Sequence, residues 1–428
     1  MNGRYRWVIL GAGAAGAGAF SALRMGLPAL GPALRHAYGL SLPQVGLAFT
    51  AVAVGVMLTL VPWGVLTDRI GERPVMSVGL ALTAGALAAA AFAPSYPLLL
   101  TGFLVAGMAG ASATGASGRA IMGWFARSER GLALGIRQMA LPLGGAAASV
   151  SLPHLVGAHG LRGALLALAV LCLTAALVCA ALLRDPPADD GAATLVAAPE
   201  RPAPTRDRRV WRLGVSGALL VVAQSAMLGF LVLFLHDARG MSAAAAAGAL
   251  ALVQLLGAGA RIVAGRRSDR GGRRIVPLRK IAVRNTVLLL AVALLAAAPA
   301  ALLFPVLLCA AVSTMSWNGL SFTAAAEISG KARAGTAMSL QNTILAIGGA
   351  AAPVLFGTVV DATSWTAAFA LVALAPLAAF VVLAPLEGEE EARIADRERR
   401  LRAAARRRGS CDSSPRPAPR ARPMEARS

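Results

Sequence analysis

Charged residues are scarce in this 428-residue chain, in which Asp, Glu, Lys and Arg together make up only 14%. Soluble proteins carry about a quarter charged residues. Hydrophobic residues make up 57% of the chain, and its mean hydropathy is +0.67. This composition disfavours a soluble globular protein and favours a membrane protein.

The residue patterns of several enzyme classes are also missing. The four cysteines have no metal-ligand spacing, there is no Ser–His–Asp arrangement, and no G-x-x-x-x-G-K-[ST] phosphate loop occurs. Gly11, Gly13 and Gly16 fit the G-x-G-x-x-G dinucleotide fingerprint, but that fingerprint needs an acid about 20 residues on, and the first acid is Asp68. We expect no enzyme activity and no cofactor, and we interpret these glycines as points of close helix contact.

The chain is instead built from apolar runs of about 20 residues, the length that an α-helix needs to cross a bilayer. Such runs must be helical, because lipid offers no partner for free backbone groups. The twelve runs are 7–36, 44–66, 75–93, 97–122, 132–155, 161–183, 211–236, 242–265, 281–299, 301–326, 334–359 and 364–385.

The net charge of +21 is concentrated in alternate loops between these runs. The basic loops contain Arg69 and Arg73; Arg127 and Arg130; Arg184 through Arg212; Arg266 through Lys280; and Lys331 and Arg333. The loops at 93–96 and 298–300 contain no basic residue. The positive-inside rule therefore predicts that both termini are cytoplasmic, and the charge does not indicate a nucleic-acid partner.

One long polar segment separates the first six runs from the last six. Its Pro, Asp and Arg residues cannot bury a core, so we interpret it as a flexible linker. The predicted parts are an N-terminal six-helix bundle (1–183), a cytoplasmic linker (184–210), a C-terminal six-helix bundle (211–385) and a charged cytoplasmic tail (386–428). For residues 389–408, disorder is favoured over a helix on the membrane surface.

Two pairs of segments repeat between the halves. The loops that begin at Gly64 and Gly265 share the pattern Gly-x-x-x-Asp-Arg-x-Gly-x-Arg and lie 201 residues apart. The segments that begin at Gly131 and Gly335 each lead to Gly-Gly-Ala-Ala and lie 204 residues apart. Two matches at nearly one offset indicate an internal duplication, which is how many transporters are built.

The duplicated loop, the six-plus-six arrangement and the Glu129-Arg130-Gly131 turn together resemble the major facilitator superfamily over residues 7–385. The resemblance implies an all-α membrane protein whose twelve transmembrane helices form two six-helix bundles related by a pseudo-twofold axis. It further implies alternating access to a central site for a small-molecule substrate, in a multi-pass protein of a bacterial inner membrane. We expect a functional monomer whose only other partner is the lipid bilayer.

In this family the loop acid bridges to the opposite bundle and stabilises the outward-open state, a role that the resemblance assigns to Asp68 and less firmly to Asp269. A carboxylate at the end of helix 2 is disfavoured by its own helix dipole, whereas helices 5 and 11 offer positive N-termini on that side. The alternative is that these charges only set topology. The predicted conformational gate comprises Gly64, Asp68, Arg69, Gly71, Arg73, Gly265, Asp269, Arg270, Gly272 and Arg273.

Arg24 is the main candidate for contact with substrate, because it lies in the middle of the first run. An Arg at mid-membrane costs about 2.5–3.5 kcal/mol on insertion scales, and its planar donors suit a carboxylate. A structural ion pair is the alternative, but no acid lies at similar depth. The full predicted substrate-binding set is Arg24, Arg119, Arg137, Gln224, Gln254 and Asn318.

Other roles remain open for the rest of this set. Arg119 and Arg137 either form a second basic site on the path or pair with Glu129 and reach the membrane interface. Each amide alone is better explained by a helix–helix contact, but one or two of the set should contact substrate. Structural anchoring is favoured for Arg261. The sequence predicts a secondary or facilitative carrier of a small carboxylate-like anion, without support for proton coupling. The alternative is a proton-coupled exporter of drug-like amphipathic compounds, although aromatics are only 5%; a receptor or membrane enzyme is disfavoured.

Overall fold

The protein is described by a computed structural model over residues 5–125, 130–184, 204–329 and 334–412, and the regular structure in these ranges is helical. The helices are α1 Tyr5–Gly26, α2 Gly31–Tyr38, α3 Leu42–Ile70, α4 Glu72–Ala91, α5 Tyr96–Trp124, α6 Arg130–Leu182, α7 Arg208–Leu233, α8 Ala243–Gly271, α9 Ile275–Leu295, α10 Ala300–Thr314, α11 Asn318–Ser329, α12 Ala334–Ala362, α13 Trp365–Val372 and α14 Leu374–Asp412. Short 3-10 helices cover Leu27–Leu30 and Pro204–Arg206, and a π-helical turn covers Phe234–Ala238.

Ten helical segments in the described ranges are long and apolar enough to cross a membrane. Large apolar side chains such as Leu294 and Val61 are 84% and 71% exposed, which suits contact with lipid rather than water. The prediction of an all-helical membrane protein is therefore confirmed. The long α6 segment is interrupted at Gly160, whose backbone has φ 66° and ψ −177°, so it contains two helices that meet where the sequence separates its fifth and sixth runs.

Two details differ from the sequence prediction. The run 301–326, expected as one helix, is broken between α10 and α11, where hydroxyls and Arg261 bond the backbone, as shown below. The tail, for which disorder was favoured, starts as a helix, since α14 extends to Asp412. Its Ala, Glu, Leu and Arg residues are strong helix formers, while residues 413–428 lie outside the described part.

The described residues divide into two compact units, one up to Leu383 and one from Ala384. Within the first unit, glycines allow helices to touch. Gly16 of α1 packs so closely that a Cβ there would lie 2.7 Å from Met76 Cε and 3.2 Å from Cys179 Sγ. The G-x-G-x-x-G segment is therefore part of a packed helix, as expected, and not a strand–turn–helix.

One end of the first unit joins the two halves of the sequence. Arg35 of α2 forms an ion pair with Asp237, after α7, and the N–H of Leu42, at the start of α3, donates to Asp361 Oδ2 near the end of α12 at 3.1 Å. We call this the Gly39 end, after the turn between α2 and α3. Helices α3 and α8 start here and have 29 residues each, about 43 Å. The loops at Gly71 and Gly272 therefore share the opposite end, which we call the Gly71 end.

Helices α3 and α12 are in backbone contact near the Gly39 end. A Cβ on Gly46 would lie 2.5 Å from the carbonyl oxygen of Pro353, and one on Gly357 would lie 2.8 Å from that of Leu42. Thr50 Oγ1 donates to the carbonyl of Ala350 at 2.7 Å. The structure is therefore closed between its halves at the Gly39 end.

The contact between α1 and α6 gives a stability prediction for the first repeated Gly-Gly pair. A Cβ on Gly144 would lie 2.2 Å from the backbone oxygen of Gly18, which no rotamer change can relieve. We expect Gly144→Ala to lower the free energy of unfolding by about 1–3 kcal/mol, the usual cost of overpacking. Thermal unfolding in detergent measures this. The matched control is Gly248→Ala in α8, where a Cβ meets no described atom within 4 Å; equal midpoints for the two variants would contradict the prediction.

Candidate functional site

Arg24 lies on the face of α1 that looks between α5 and α6. One turn earlier, Phe20 packs against Gly110 of α5, and the hydroxyl of Ser21 donates to the carbonyl of Leu141 in α6 at 2.7 Å. Residues three and four apart share a helix face, so the Arg24 side chain projects toward the gap between these two helices. Its direction is inward and not toward lipid.

The environment of Arg24 is that of a residue in an internal, water-accessible space. Solvent reaches the side chain, although Phe20 to Leu23 and Gly26 to Leu30 are all buried. Protein atoms surround the guanidinium group nevertheless. Within the described part of the chain, Arg24 makes no hydrogen bond and no ion pair. A cation without a partner is costly within a membrane-spanning segment, so this position needs another source of stabilisation.

Beside Arg24, an amide joins the two halves of the protein. Gln254 of α8 donates from Nε2 to the carbonyl of Met25, at 3.4 Å, and to Ser149 Oγ of α6, at 3.1 Å. Gly145 leaves room for this side chain, since a Cβ there would lie 1.9 Å from Gln254 Oε1. The predicted residue Gln254 thus contacts Met25, the residue after Arg24, and joins α8 to α1 and α6.

The other predicted amides lie together in the second half. Gln224 Oε1 of α7 accepts from Trp317 Nε1 at 3.1 Å and from Asn318 Nδ2 at 3.3 Å. Trp317 is fully buried, and Asn318 is partly exposed. Both amides are therefore already hydrogen-bonded within the protein.

The break between α10 and α11 is a second polar centre, which the sequence prediction missed. Side-chain hydroxyls bond the backbone on its N-terminal side: Thr314 Oγ1 donates to the Ala311 carbonyl and Ser316 Oγ to the Ser313 carbonyl, each at 2.7 Å. Such bonds compete with regular helix formation. The Ser313-Thr314-Met315-Ser316 sequence was the available signal.

Two arginines from neighbouring helices bind this break. Arg261 Nε of α8 donates to the carbonyl of Met315 at 2.8 Å. Arg284 of α9 donates to Ser313 Oγ at 2.7 Å and to Ser316 Oγ at 2.9 Å. Cations are favoured at the C-terminus of a helix such as α10. The anchoring favoured for Arg261 agrees with this contact.

The remaining basic candidates are only partly described. Arg137 of α6 is buried and interacts with other groups, and its backbone lies one turn before Leu141, which bonds to α1. Arg119 lies in α5, but its side chain is outside the described residues. An apolar groove of about 620 Å³ between α3, α4 and α5, lined by residues such as Trp63 and Leu82, contains none of the predicted residues.

The duplicated loops turn at equivalent glycines but differ in their contacts. Gly71 and Gly272 both have positive φ, 85° and 60°, a conformation that glycine adopts without strain. Gly64 and Gly265 lie inside helices, and a Cβ on either meets no described atom within 4 Å. Neither glycine is therefore a point of close contact with another described residue.

The charged residues of the second loop pair within their own half. Arg274 Nη1 contacts Asp269 Oδ1 at 2.5 Å, and Nη2 contacts Glu327 Oε1 at 3.0 Å. Partial burial disfavours the charge of Arg274, but these two carboxylates outweigh it and raise the pKa of the guanidinium. Arg273, a predicted gate residue, accepts a hydrogen bond from Ser268 Oγ through its backbone carbonyl. The position equivalent to Arg73 is thus Arg274.

The first loop is bound differently. Arg73 Nε donates to the carbonyl of Ala180 in α6 at 2.7 Å, so it also contacts its own half of the sequence. Arg69 and Arg270 are exposed. The side chain of Asp68 lies outside the described residues, and its expected bridge to the other half stays a prediction.

These features define a multi-pass helical membrane protein with an arginine in its first membrane-spanning helix that has no described partner. The chain belongs to the Major Facilitator Superfamily, whose family model matches residues 12–353. An uncharacterized MFS-type transporter of Mycobacterium tuberculosis is 36% identical over 364 residues, which cover 84% of this chain and 80% of the relative. The protein is a membrane transporter of this superfamily.

A more distant relative and solved structures agree with this assignment. A probable sulfoacetate transporter of Cupriavidus necator is 27% identical over 366 residues, which cover 79% of this chain and 84% of that protein. A bacterial homologue of the lysosomal transporter Spinster, solved in an inward-facing and unoccupied conformation, has a TM-score of 0.73 at 16% identity over 90% of this chain and 96% of that one. A D-xylose-proton symporter has a TM-score of 0.68 at 14% identity, with 89% and 97% covered.

Proposed function

We propose that this protein is a secondary or facilitative transporter that moves a small, carboxylate-like organic anion by alternating access. Arg24 is the observation that supports it most. An arginine that is enclosed by protein, reached by solvent and unpaired in the described structure suits an anion that arrives from solution. Its planar guanidinium can hold a carboxylate or sulfonate through two parallel hydrogen bonds.

The relative from Cupriavidus necator supports the same substrate class. It is named a probable sulfoacetate transporter, and sulfoacetate is a small organic anion. At 27% identity the relative indicates a class of compound and not the substrate itself.

We further propose twelve transmembrane helices in two six-helix bundles, 1–183 and 211–385, joined by a cytoplasmic linker. Ten apolar segments become twelve when the interruption at Gly160 divides one of them and α9 is added, whose window contains more charge. In this arrangement both termini are cytoplasmic, because the basic loops lie at the Gly71 end and basic loops face the cytoplasm. The membrane that we propose is a bacterial inner membrane.

The conformation, which is closed at the Gly39 end, supports exchange of substrate with the solution at the Gly71 end. The inter-half contacts at Arg35, Leu42, Gly46 and Thr50 close the Gly39 end. The gate residues Gly64 to Arg73 and Gly265 to Arg274 lie at the opposite end, where they would close the path in the other conformation. We assign Asp68 the bridge in that state; Asp269 would have to leave Arg274 to form one.

The coupling that fits this chain is uniport, anion exchange, or co-movement of a proton on the substrate itself. Among the described carboxylates, Asp237, Asp269, Glu327 and Asp361 lie at helix ends. Carriers that load protons on the protein usually use an acid inside the membrane, and Arg24 has no such described neighbour.

Uptake of labelled sulfoacetate, succinate and acetate into proteoliposomes containing the purified protein tests the proposal. Saturable uptake of at least one anion, competed by unlabelled anion, is the expected result. A protein that moves none of them, but gives a pump-deficient host resistance to lipophilic cations, is a drug exporter, and the anion proposal is then wrong.

A further inference from the structure

A second arginine in the membrane-spanning part has donors without a described partner. Arg261 of α8 uses Nε for the Met315 carbonyl, while its two terminal nitrogens bond to no described residue. The side chain is only partly buried. The four N–H donors of the two terminal nitrogens therefore remain without a described partner.

A comparison with Arg239 shows that anchoring alone does not need this arrangement. Arg239 also binds the end of a helix, but it does so with both terminal nitrogens, which donate to the carbonyls of Ala296 and Ala298 at 3.3 and 2.5 Å. Arg261 has the same type of acceptor and leaves both terminal nitrogens unused. Its unused donors thus point to a ligand.

The helix geometry brings Arg24 and Arg261 toward each other. Gln254, which touches the Met25 carbonyl, lies seven residues before Arg261, about two turns and 10 Å along the same face of α8. Helical side chains tilt toward the N-terminus of their helix. Helix α1 runs toward the Gly39 end, so the side chain of Arg24 tilts toward the Gly71 end. Helix α8 runs the other way, so the side chain of Arg261 tilts toward the Gly39 end and reduces its distance along the helix axis from Arg24.

The charge in this space is uncompensated in the described structure. Neither Arg24 nor Arg261 forms an ion pair with a described residue. Unpaired cations in a medium of low dielectric constant repel each other. A ligand with one negative group would satisfy one of them, and a ligand with two would satisfy both.

We propose that the substrate is a small dianion, with one anionic group on Arg24 and the other on Arg261. The substrate class is a short chain with a carboxylate or sulfonate at each end. This inference rests on the proposed anion transport and adds a second binding group to it. Arg261 is the residue that distinguishes a dianion from a monoanion.

Ligand binding to the wild-type protein tests the substrate class without any substitution. Thermal stabilisation of the purified full chain at pH 8 would be measured with sulfoacetate, malonate, succinate and glutarate, and with acetate and methanesulfonate as monoanions, since a ligand that binds the folded state raises its stability. We expect at least one dianion to bind tenfold or more tightly than either monoanion. Equal affinities for both groups would overturn the dianion inference and leave anion transport intact.

Substitution of Arg261 then tests the residue. We expect Arg261→Gln to lower the affinity for the preferred dianion at least tenfold, to the level of the monoanions, while monoanion affinity changes less than threefold. The matched control is Arg239→Gln, which removes an arginine from a helix end outside the site and should leave the dianion preference unchanged. A preference that persists in Arg261→Gln would overturn the assignment.

Arg261→Lys covers the case in which Arg261→Gln does not fold. It keeps the positive charge and should keep a dianion preference of reduced size, whereas complete retention of wild-type affinity would show that the guanidinium does not contact the ligand. Failure of every anion to bind the wild-type protein is the separate result that overturns the proposed function itself.

Discussion

Arg24→Gln is expected to abolish saturable anion uptake while leaving the protein folded. Removing one partner of a buried, hydrogen-bonded charge pair costs about 2–5 kcal/mol, so the affinity for the anion should fall about a hundredfold. The unliganded protein should tolerate the change, because Arg24 makes no contact with a described carboxylate. Removing its uncompensated charge should keep or raise the thermal midpoint.

Two further variants make this result specific. Arg24→Lys keeps the charge but loses the planar fork, so it should bind the anion more weakly than wild type and more tightly than Arg24→Gln. Arg162→Gln is the matched control: this arginine stacks on Phe92, 3.7 Å from the ring centroid, near the Gly39 end, and its loss should not change uptake. Anion affinity that survives in Arg24→Gln places the binding site elsewhere.

Gly46→Trp is expected to stop transport by a different route, since it prevents closure at the Gly39 end. A Cβ at this position would already lie 2.5 Å from the Pro353 carbonyl, and an indole ring cannot fit between two helices in backbone contact. The variant should hold the protein open at this end, with turnover lost and anion binding retained because Arg24 is unchanged. Gly357→Trp, on the facing helix, should behave in the same way.

Chemical labelling at position 50 reports whether the Gly39 end is open. Thr50 is buried against Ala350, so a cysteine introduced there, in a background without Cys309 and Cys411, should react with a membrane-impermeant maleimide only when the Gly39 end is open. We expect fast labelling in Gly46→Trp and slow labelling in the parent. Gly248→Trp, at an open position of α8, is the control. Normal turnover in Gly46→Trp would show that this contact is not part of the transport cycle.

Much of the fold follows from the sequence because lipid leaves the backbone few options. Apolar runs of sufficient length must be helices, so all-helical structure and the positions of the helices were predictable from hydropathy. The duplicated glycines Gly71 and Gly272 were also predictable as turns, since both halves repeat the same pattern. Gly160, between the fifth and sixth runs, separates helices where the apolar character weakens.

Other features depend on contacts that hydropathy does not contain. The break at Met315 lies inside an apolar run, where the hydroxyls of Thr314 and Ser316 and the guanidinium of Arg261 bond the backbone. The ion pair of Asp269 with Arg274 could not be predicted for a similar reason, because the adjacent arginines at 273 and 274 look alike in the sequence while Arg274 contacts the carboxylates. Gln254 was predicted as a polar residue of the path, but its contact with the other half required the packing of α8 against α1 and α6.

The broken span has a consequence for energetics. The acceptor that Arg261 binds at Met315 is a peptide carbonyl and not a carboxylate. A carbonyl neither binds nor releases protons at cellular pH. In the anion carrier proposed above, this position then adds no protonation step to the cycle, and the cargo brings its own charge through the electric field. An inside-negative voltage of 100 mV is worth about 2.3 kcal/mol per elementary charge. Uniport would therefore be electrogenic, with voltage driving its cargo out of the cell.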